Sequence, residues 1–426
     1  MIAKNSRKVG ILLTVYLFLA IYAPPIISLN MFHVITVFSL VMIILKYRYI
    51  ANVILKKMRC TSMFYLIFIN LFIIAIGAFT TLFSHDSRLK DDYMIALVYQ
   101  AVIMMSEIII STLYICCVIE TEYSEDNGEK FFKSIVIAGI IEFLFVMISY
   151  FNPGIRTSFL SLMGSNTGLS DLYSNYSEYL NYRGYGFALE LLDTFGYGTG
   201  IIGGIAFILG RPNKKYYFFA FCMLIATLLN SRTGLIMMAL FISIDLVCGK
   251  NAILTRKKFI LILLLMLLAI LLWCVILPTF LNEIFMSTKD EILKNTARDL
   301  LQVLHFDYHT LQKEMWQFPD NIIYLMFGTG HLVTGTVSTV GFVNAIWAYG
   351  IVGTILLYAL SSVMYVKTLR RCKYNYLYYN TVFALFIIFF VTQLKMPVFT
   401  YSAGGYLQFS IPMIVNYFVS KEKRLI

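Results

Sequence analysis

The stretch Asn230–Ser231–Arg232–Thr233–Gly234 separates two long apolar runs, Tyr216–Leu229 before it and Leu235–Val247 after it. Arginine keeps its charge at any pH, and a position deep in a membrane costs it roughly 2.5–3.5 kcal/mol on insertion scales. A charge held at such a position is a functional candidate, although Ser, Asn and Gly are also ordinary turn residues. Arg232 and its neighbour Ser231 are therefore the first candidate site residues.

The composition of the whole chain agrees with a membrane setting for this stretch. Of 426 residues, 59% are hydrophobic and 13% are charged, and the chain contains 35 Phe and 30 Tyr. These values exclude a soluble domain and predict an all-α, polytopic membrane protein. The net charge of +11 is no sign of nucleic acid binding here, because in a membrane protein basic residues mark the loops on one side.

Apolar windows of about 20 residues predict about twelve transmembrane helices in a single integral membrane domain, residues 1–426. The predicted spans are 10–28, 30–45, 62–83, 93–119, 132–152, 186–209, 215–230, 233–249, 258–281, 341–366, 376–393 and 397–419. The basic residues Lys4, Arg7 and Lys8 precede the first apolar span, and a signal peptide begins in the same way. Since the span continues into Pro24–Pro25 without a small-residue cleavage site, we expect it to remain uncleaved.

The distribution of basic residues predicts the orientation. If the N-terminus is cytoplasmic, 24 of the 34 Lys and Arg residues fall in inner segments, which is the bias expected from the positive-inside rule. Both termini are then cytoplasmic. Two sizeable segments are left outside, residues 153–185 and 282–340, and we expect any chemistry to lie there.

The first outer loop is rich in Ser, Asn, Gly and Tyr and ends in Tyr182–Arg183–Gly184–Tyr185–Gly186. Its glycines permit a close approach of the backbone to a ligand, and tyrosines offer rings and hydroxyl groups that suit sugars. Glu190 and Asp193 follow at the start of the next span. An aromatic belt at the membrane interface would have the same composition, so this loop alone does not distinguish a sugar-binding surface from such a belt.

The second outer loop contains a predicted amphipathic helix over residues 289–305, because Thr288 and Glu291 have the spacing of a capping box. His305, Asp307 and His309 follow, but two histidines and one aspartate in a turn are weak evidence for zinc, and we expect no metal site. The loop returns to the membrane through Phe327–Gly328–Thr329–Gly330–His331. Histidine suits proton transfer near neutral pH, although His331 could equally be an interfacial residue bonded to backbone.

Taken together, these motifs resemble the bacterial O-antigen polymerase and ligase superfamily of membrane glycosyltransferases. Four features carry the resemblance: Ser231–Leu235 opening a span, Arg183–Gly184 ending an outer loop, a large outer loop late in the chain, and Gly328–Gly330 followed by Tyr349–Gly353. They cover residues 183–353. Each motif is short, and the order of the set makes the resemblance specific.

The resemblance implies a polymerase in the bacterial inner membrane, with its active site facing the periplasm and no cofactor or metal. Donor and acceptor would be oligosaccharide repeat units linked to undecaprenyl diphosphate, and a chain-length regulator protein would be a partner. Arg183 and Arg232 would bind the diphosphate, because guanidinium groups match phosphate oxygens. His331 would act on the acceptor hydroxyl, or Glu190 or Asp193 would do so instead. The remaining expected substrate contacts are Ser231, Tyr182 and Tyr185.

Two alternatives stay open at this point. Ligase members carry His-Asn where this chain has Thr339–Val340, which favours a polymerase over a ligase. A lipid-linked glycan flippase or transporter is supported by the acids Glu107 and Glu142 inside apolar spans. No repeat relates the two halves of the sequence, as many transporters would show.

Overall fold

The computed structural model describes residues 2–26, 31–51, 65, 67–69, 71–72, 75, 93–122, 127–167, 184–189, 192–230, 232–249, 283, 316–329, 340–394 and 403–422. All regular elements in these ranges are helices, which confirms the all-α fold class. In chain order they are α1 Ile2–Tyr22, α2 Met31–Leu45, α3 Tyr47–Tyr49, α4 Tyr93–Glu122, α5 Asn127–Phe151, α6 Pro153–Thr167, α7 Leu192–Gly210, α8 Lys215–Asn230, α9 Arg232–Cys248, α10 Ile322–Phe327, α11 Gly341–Cys372, α12 Tyr376–Thr392 and α13 Ala403–Glu422.

The described helices agree with a membrane protein. Two of them, Gly128–Phe151 within α5 and Gly341–Cys372, are long and apolar enough to cross a membrane, and several shorter apolar helices accompany them. A helix stands at the position of ten predicted spans, whereas most of 62–83 and all of 258–281 lie outside the described residues. The number of twelve spans and their orientation stay predictions.

Two predicted span boundaries differ from the observed helix ends, and the predicted outer loop of residues 153–185 contains a helix. Helix α1 ends at Tyr22 instead of residue 28, because two consecutive prolines follow at 24 and 25. Helix α7 begins at Leu192, because residues 184–189 are irregular. Helix α6 lies in the segment expected to be a loop: the Asn152 side chain accepts bonds from the N–H groups of Gly154 (3.1 Å) and Ile155 (3.2 Å), and Pro153 opens the helix.

Helix α7 lies at the centre of the bundle. It packs most extensively on α8 and α9 and also contacts α5, α12 and α13. Its glycines let these neighbours approach closely; for example, a Cβ on Gly204 would overlap the ring of Phe241 in α9, and one on Gly198 would lie 2.7 Å from the Cβ of Ala403 in α13. The run of small residues in this span thus serves helix packing.

Helix α13 supplies polar contacts in the interior. The Tyr197 hydroxyl of α7 donates to the Gln408 side chain at 2.8 Å, and the Gln408 amide donates to the Tyr365 hydroxyl of α11 at 2.7 Å. Tyr406 is hydrogen-bonded to Ser111 of α4 at 2.7 Å. Because buried polar groups bond one another in fixed geometry, these contacts set the register of α13 against α4, α7 and α11.

Candidate functional site

The structure describes the predicted site residues unevenly. Tyr185 is described with its side chain, whereas Arg232 and Asp193 are described as backbone positions in helices. The other predicted residues lie outside the described part of the chain; they are Tyr182, Arg183, Glu190, Ser231 and His331. The surroundings of the site are therefore built from the segments that flank these residues.

The helices that carry Arg232 and Asp193 begin beside each other. Arg232 is the first residue of α9, and Asp193 lies in the first turn of α7. Two residues after Arg232, Gly234 packs on the backbone of α7, where an added Cβ would overlap the Gly196 carbonyl oxygen. Only glycine permits this approach of two backbones, so Gly234 belongs to helix packing and Arg232 is placed by it.

Helices α7 and α9 also run in the same direction, since Gly204 meets Phe241 about two turns further along both helices. Both N-termini therefore face the same end of the bundle. The N-terminus of a helix presents free N–H groups and a partial positive charge, so that neighbouring N-termini favour an anion. This end of the bundle suits a phosphate group.

The segment that follows Arg183 is fixed along one face of α5. Gly184 lies so close to α5 that an added Cβ would be 2.9 Å from the Val146 carbonyl oxygen. The Ser149 hydroxyl donates a hydrogen bond to the Tyr185 carbonyl. Tyr185 is fully buried, so its ring packs inside the protein.

The same segment is attached to α1 at its far end. The Leu189 N–H donates to the Tyr22 carbonyl at 3.0 Å. Between these attachments, the Phe187 ring packs against Phe145 of α5 and Phe159 of α6, with centroids 5.3 and 5.0 Å apart. Residues 184–189 are thus held by three helices, and Arg183 directly precedes them in the sequence.

A buried carboxylate lies directly beneath this segment. Glu142 of α5 is fully buried, and its Oε1 occupies the space where a Cβ on Gly186 would stand. The Phe187 N–H is directed at the carboxylate, but neither oxygen makes a hydrogen bond of regular geometry within the described residues. The Tyr22 hydroxyl lies near it and is likewise without a hydrogen bond among the described residues. Sequence inspection singled out Glu142 as a buried acid, and the structure places it under the segment that follows Arg183.

The glycine motif of the second outer loop packs against the start of α11. Gly328 and Gly350 both adopt positive φ, 82° and 66°, and their backbones touch, since a Cβ on Gly328 would lie 2.6 Å from the Gly350 nitrogen. Thr329 donates two bonds to the Trp347 carbonyl, 2.7 Å from its N–H and 2.8 Å from its hydroxyl. These contacts explain why both motifs contain glycine, and they fix the backbone of Gly328 and Thr329.

The end of α12 joins the starts of α9 and α11. The Thr392 hydroxyl lies 3.8 Å from the Met237 sulfur in α9. The Phe342 N–H near the start of α11 donates to the Gln393 carbonyl at 3.1 Å. Since α7 and α9 begin side by side, the segments flanking Arg183, Arg232 and the Gly328 motif all lie at one end of the bundle.

A buried ion pair at the opposite end was not predicted from the sequence; its acid, Asp245, lies within the apolar run Leu235–Val247. The Arg211 guanidinium donates from Nε to Asp245 Oδ2 at 2.5 Å and from Nη2 to the Asp245 carbonyl at 2.6 Å. The Asn380 amide donates to Asp245 Oδ1 at 2.8 Å. A lone Asp in an apolar helix was the available signal. This cluster joins α7, α9 and α12, the helices whose other ends meet at the candidate site.

Metal binding has no support in the described ranges, where no group of three or more His, Cys, Asp or Glu side chains could hold an ion. The stretch His305–His309 lies outside these ranges. The expectation that the reaction needs no metal stays a prediction.

Comparison with known proteins assigns no family to the chain. The sequence matches no family model, and no curated protein is similar to it at a significant level. The functional proposal therefore stands on the motifs of this chain and on the geometry of its described helices.

Proposed function

We propose that the chain is a polysaccharide polymerase, a membrane glycosyltransferase that joins oligosaccharide repeat units linked to undecaprenyl diphosphate. One observation carries the proposal: the backbones flanking Arg183, Arg232 and the Gly328 motif meet at one end of the bundle, where α7, α9 and α11 begin. These are the segments that carry the resemblance to the polymerase and ligase superfamily, and they share one end of the bundle.

The electrostatics of this end fit a diphosphate leaving group. As the bond from the donor sugar to the phosphate oxygen breaks, negative charge grows on that oxygen. Arg183 and Arg232 stabilise this charge with paired N–H donors, and the N-termini of α7 and α9 add partial positive charge. Arginine is preferred over lysine for this task because its planar group offers two parallel donors to phosphate oxygens.

The acceptor hydroxyl of the second repeat unit attacks the donor sugar and gives up its proton. His331 is the proposed proton acceptor, with Glu190 and Asp193 as the alternative carboxylates. Ser231, Tyr182 and Asp193 complete the proposed substrate contacts, whereas the buried ring of Tyr185 supports the site from inside the protein. The reaction takes place at the outer face of the cytoplasmic membrane, the lipid bilayer holds both substrates, and a chain-length regulator protein is the proposed partner.

The experiment that tests the proposal is complementation of a strain of the source bacterium that lacks this chain. We expect single lipid-linked repeat units to accumulate in that strain and a ladder of surface polysaccharide to return with the intact chain. A chain carrying Arg232→Ala, present in the membrane at the same level, should leave the single units unpolymerised. A full ladder in the strain without the chain would refute the proposal.

A second candidate function, transport or flipping of a lipid-linked glycan, is favoured by one observation. Glu107 of α4 lies 2.5 Å from His33 of α2, and its side chain is buried. Paired acids and histidines inside membrane helices are typical of proton relays in transporters. In the complementation experiment this function predicts repeat units retained in the inner leaflet, whereas the polymerase predicts single units exposed outside.

A further inference from the structure

The short helix α10 turns apolar side chains away from the protein. No residue of this helix is buried, and Ile322 and Ile323 are 72% and 61% exposed. The exposed apolar side chains of the helix and of the residues just before it are Trp316, Phe318, Ile322, Ile323, Met326 and Phe327. Clusters of exposed apolar side chains mark contact with a membrane or with another protein. Residues 316–327, the α10 segment, thus present an apolar face that needs a partner.

The backbone of the α10 segment is attached to α11 at both ends. Near its start, the Trp347 indole N–H donates to the Gln317 carbonyl at 2.7 Å. Near its end, the segment touches Gly350, since an added Cβ there would lie 2.2 Å from the Met326 carbonyl oxygen. Because both ends are held on α11, the apolar face is a fixed surface of the protein.

The contact with Gly350 gives the segment a defined level along α11. Gly350 interrupts this helix with φ 66° and ψ 176°, and residues 351–372 continue as a helix. At 1.5 Å per residue their length is about 33 Å, close to the roughly 30 Å of the apolar core of a bilayer. Arg370 and Arg371 in the last turn suit the head groups at the far end. Gly350 and the α10 segment therefore lie at the other boundary of the apolar core.

Phospholipid acyl chains suit the apolar face better than a protein partner does. The turns of α11 that follow Gly350 also expose apolar side chains, because Val352, Ile355 and Leu356 are 39%, 62% and 44% exposed. The apolar surface thus continues onto the helix that is long enough to cross the membrane. Asp320 is the only charged residue in the sequence of the segment, and tryptophan at its start is typical of a membrane boundary.

We propose that the α10 segment is an interfacial anchor, which lies along one surface of the bilayer with Trp316, Ile322 and Ile323 among phospholipid acyl chains. Interfacial helices insert their apolar face into the boundary between head groups and acyl chains in this way. Since Gly328 and Thr329 directly follow the segment, the anchor holds their backbone at the level of the lipid head groups. The inference uses the membrane class of the chain and does not depend on the polymerase proposal.

The fluorescence of Trp316 tests the anchor in the full-length protein, reconstituted in phosphatidylcholine vesicles. The signal of Trp316 is the difference between the Trp273→Phe protein and the protein with both Trp273→Phe and Trp316→Phe, which leaves Trp347 and its hydrogen bond in place. The lipids carry bromine, a quencher, either near the head-group end or near the methyl end of the acyl chains. We expect bromine near the head-group end to quench Trp316 most, and iodide in the water to quench it little.

A second reporter calibrates the depth. Ile355→Trp is made in the protein that lacks Trp273 and Trp316; Ile355 is exposed and lies more than one turn beyond Gly350, deeper in the apolar core. Bromine near the methyl end should quench this tryptophan more than it quenches Trp316. Strong quenching of Trp316 by iodide and none by either brominated lipid would overturn the proposal, because the face would then lie in water, where only another protein could cover it.

A charge within the face gives an independent test. Ile323→Asp places a carboxylate among acyl chains, where an ionised group is costly. We expect the quenching of Trp316 to shift from brominated lipid to iodide, with the helical circular dichroism unchanged. Ser158→Asp, at an exposed position of α6, is the matched control and should cause no shift. Unchanged quenching in Ile323→Asp would refute the anchor.

Discussion

At the scale of single residues, two arginines carry the chemistry of this account, and one buried acid, Glu142, lies beneath the segment that follows Arg183. The sequence was sufficient to single out Arg232, because a charge between apolar runs stands out. It was not sufficient to say what Glu142 touches. That contact depends on residues 184–189 folding back on α5, which are more than 40 residues away in the sequence and carry no local signal for it.

Arg232→Lys and Arg183→Lys should each reduce polymerisation by about 10²-fold or more, because an ammonium group cannot present two parallel donors to the leaving diphosphate. The measurement is the length distribution of lipid-linked glycan, normalised to the amount of protein in the membrane. Arg156→Lys, a change of the same type in α6, is the control and should leave the distribution unchanged. Normal polymer from Arg232→Lys would show that Arg232 is a generic surface charge.

His331→Ala should lower the polymerisation rate by about 10²-fold, the usual scale for a lost general base. It should not weaken binding of undecaprenyl diphosphate, which the arginines hold. The rate and the affinity are measured on the same purified preparation. If His331→Ala polymerises normally while Glu190→Gln or Asp193→Asn is inactive, the proton acceptor is a carboxylate.

Asp245→Ala should lower the free energy of unfolding by about 3 kcal/mol, because it leaves the Arg211 guanidinium without its buried partner. Unfolding of the purified protein by denaturant, followed by circular dichroism, measures the change. The control is Glu129→Ala, which removes the half-exposed pair with Lys133 and should cost less than about 1 kcal/mol. Equal losses in both variants would argue against a structural role for the buried cluster.

At the scale of elements, glycine contacts bring the starts of α7 and α9 together. Hydrophobic windows were enough to predict most of these helices, because apolar stretches of such length have few other stable states. The helix ends were harder to predict. Helix α6 begins at Pro153 after the Asn152 cap, but the polar composition of the segment indicates a loop. The contact between Gly234 and Gly196 could not be predicted either, since spacing along one helix says nothing about its neighbour.

Gly234→Ala tests this element-level account. The added methyl group would overlap the Gly196 carbonyl oxygen, so α9 must move away from α7 at a cost of about 2 kcal/mol, typical of overpacking. Arg232 moves with α9, and we expect loss of polymer at temperatures where the protein is still folded. Thermal unfolding and the glycan ladder are measured together.

The control for this variant is Gly154→Ala, because the nearest atom to an added Cβ in α6 is 3.4 Å away. It should be neutral in both assays. A fully active and stable Gly234→Ala protein would show that the approach of α7 and α9 is looser than described and that it does not place Arg232.

At the scale of the whole molecule, the described helices form one bundle with an apolar core and two distinct ends. One end gathers the starts of α7, α9 and α11 near the predicted arginines, and the other holds the Arg211, Asp245 and Asn380 cluster. The composition was sufficient to predict a membrane protein. The grouping of residues at the two ends could not be predicted, because it depends on how helices distant in the sequence pack together. The end with the Arg211, Asp245 and Asn380 cluster joins α9 and α12 by polar contacts.

The central claim is that new glycosidic bonds form at the expense of lipid diphosphate linkages. The most direct measurement is mass spectrometry of lipid extracts after purified protein in proteoliposomes is incubated with single repeat units on undecaprenyl diphosphate. The account predicts a lipid carrying two repeat units and an equal amount of free undecaprenyl diphosphate, with neither product from the Arg232→Lys protein. Repeat units that move to the other leaflet unchanged, without any two-unit product, would contradict it.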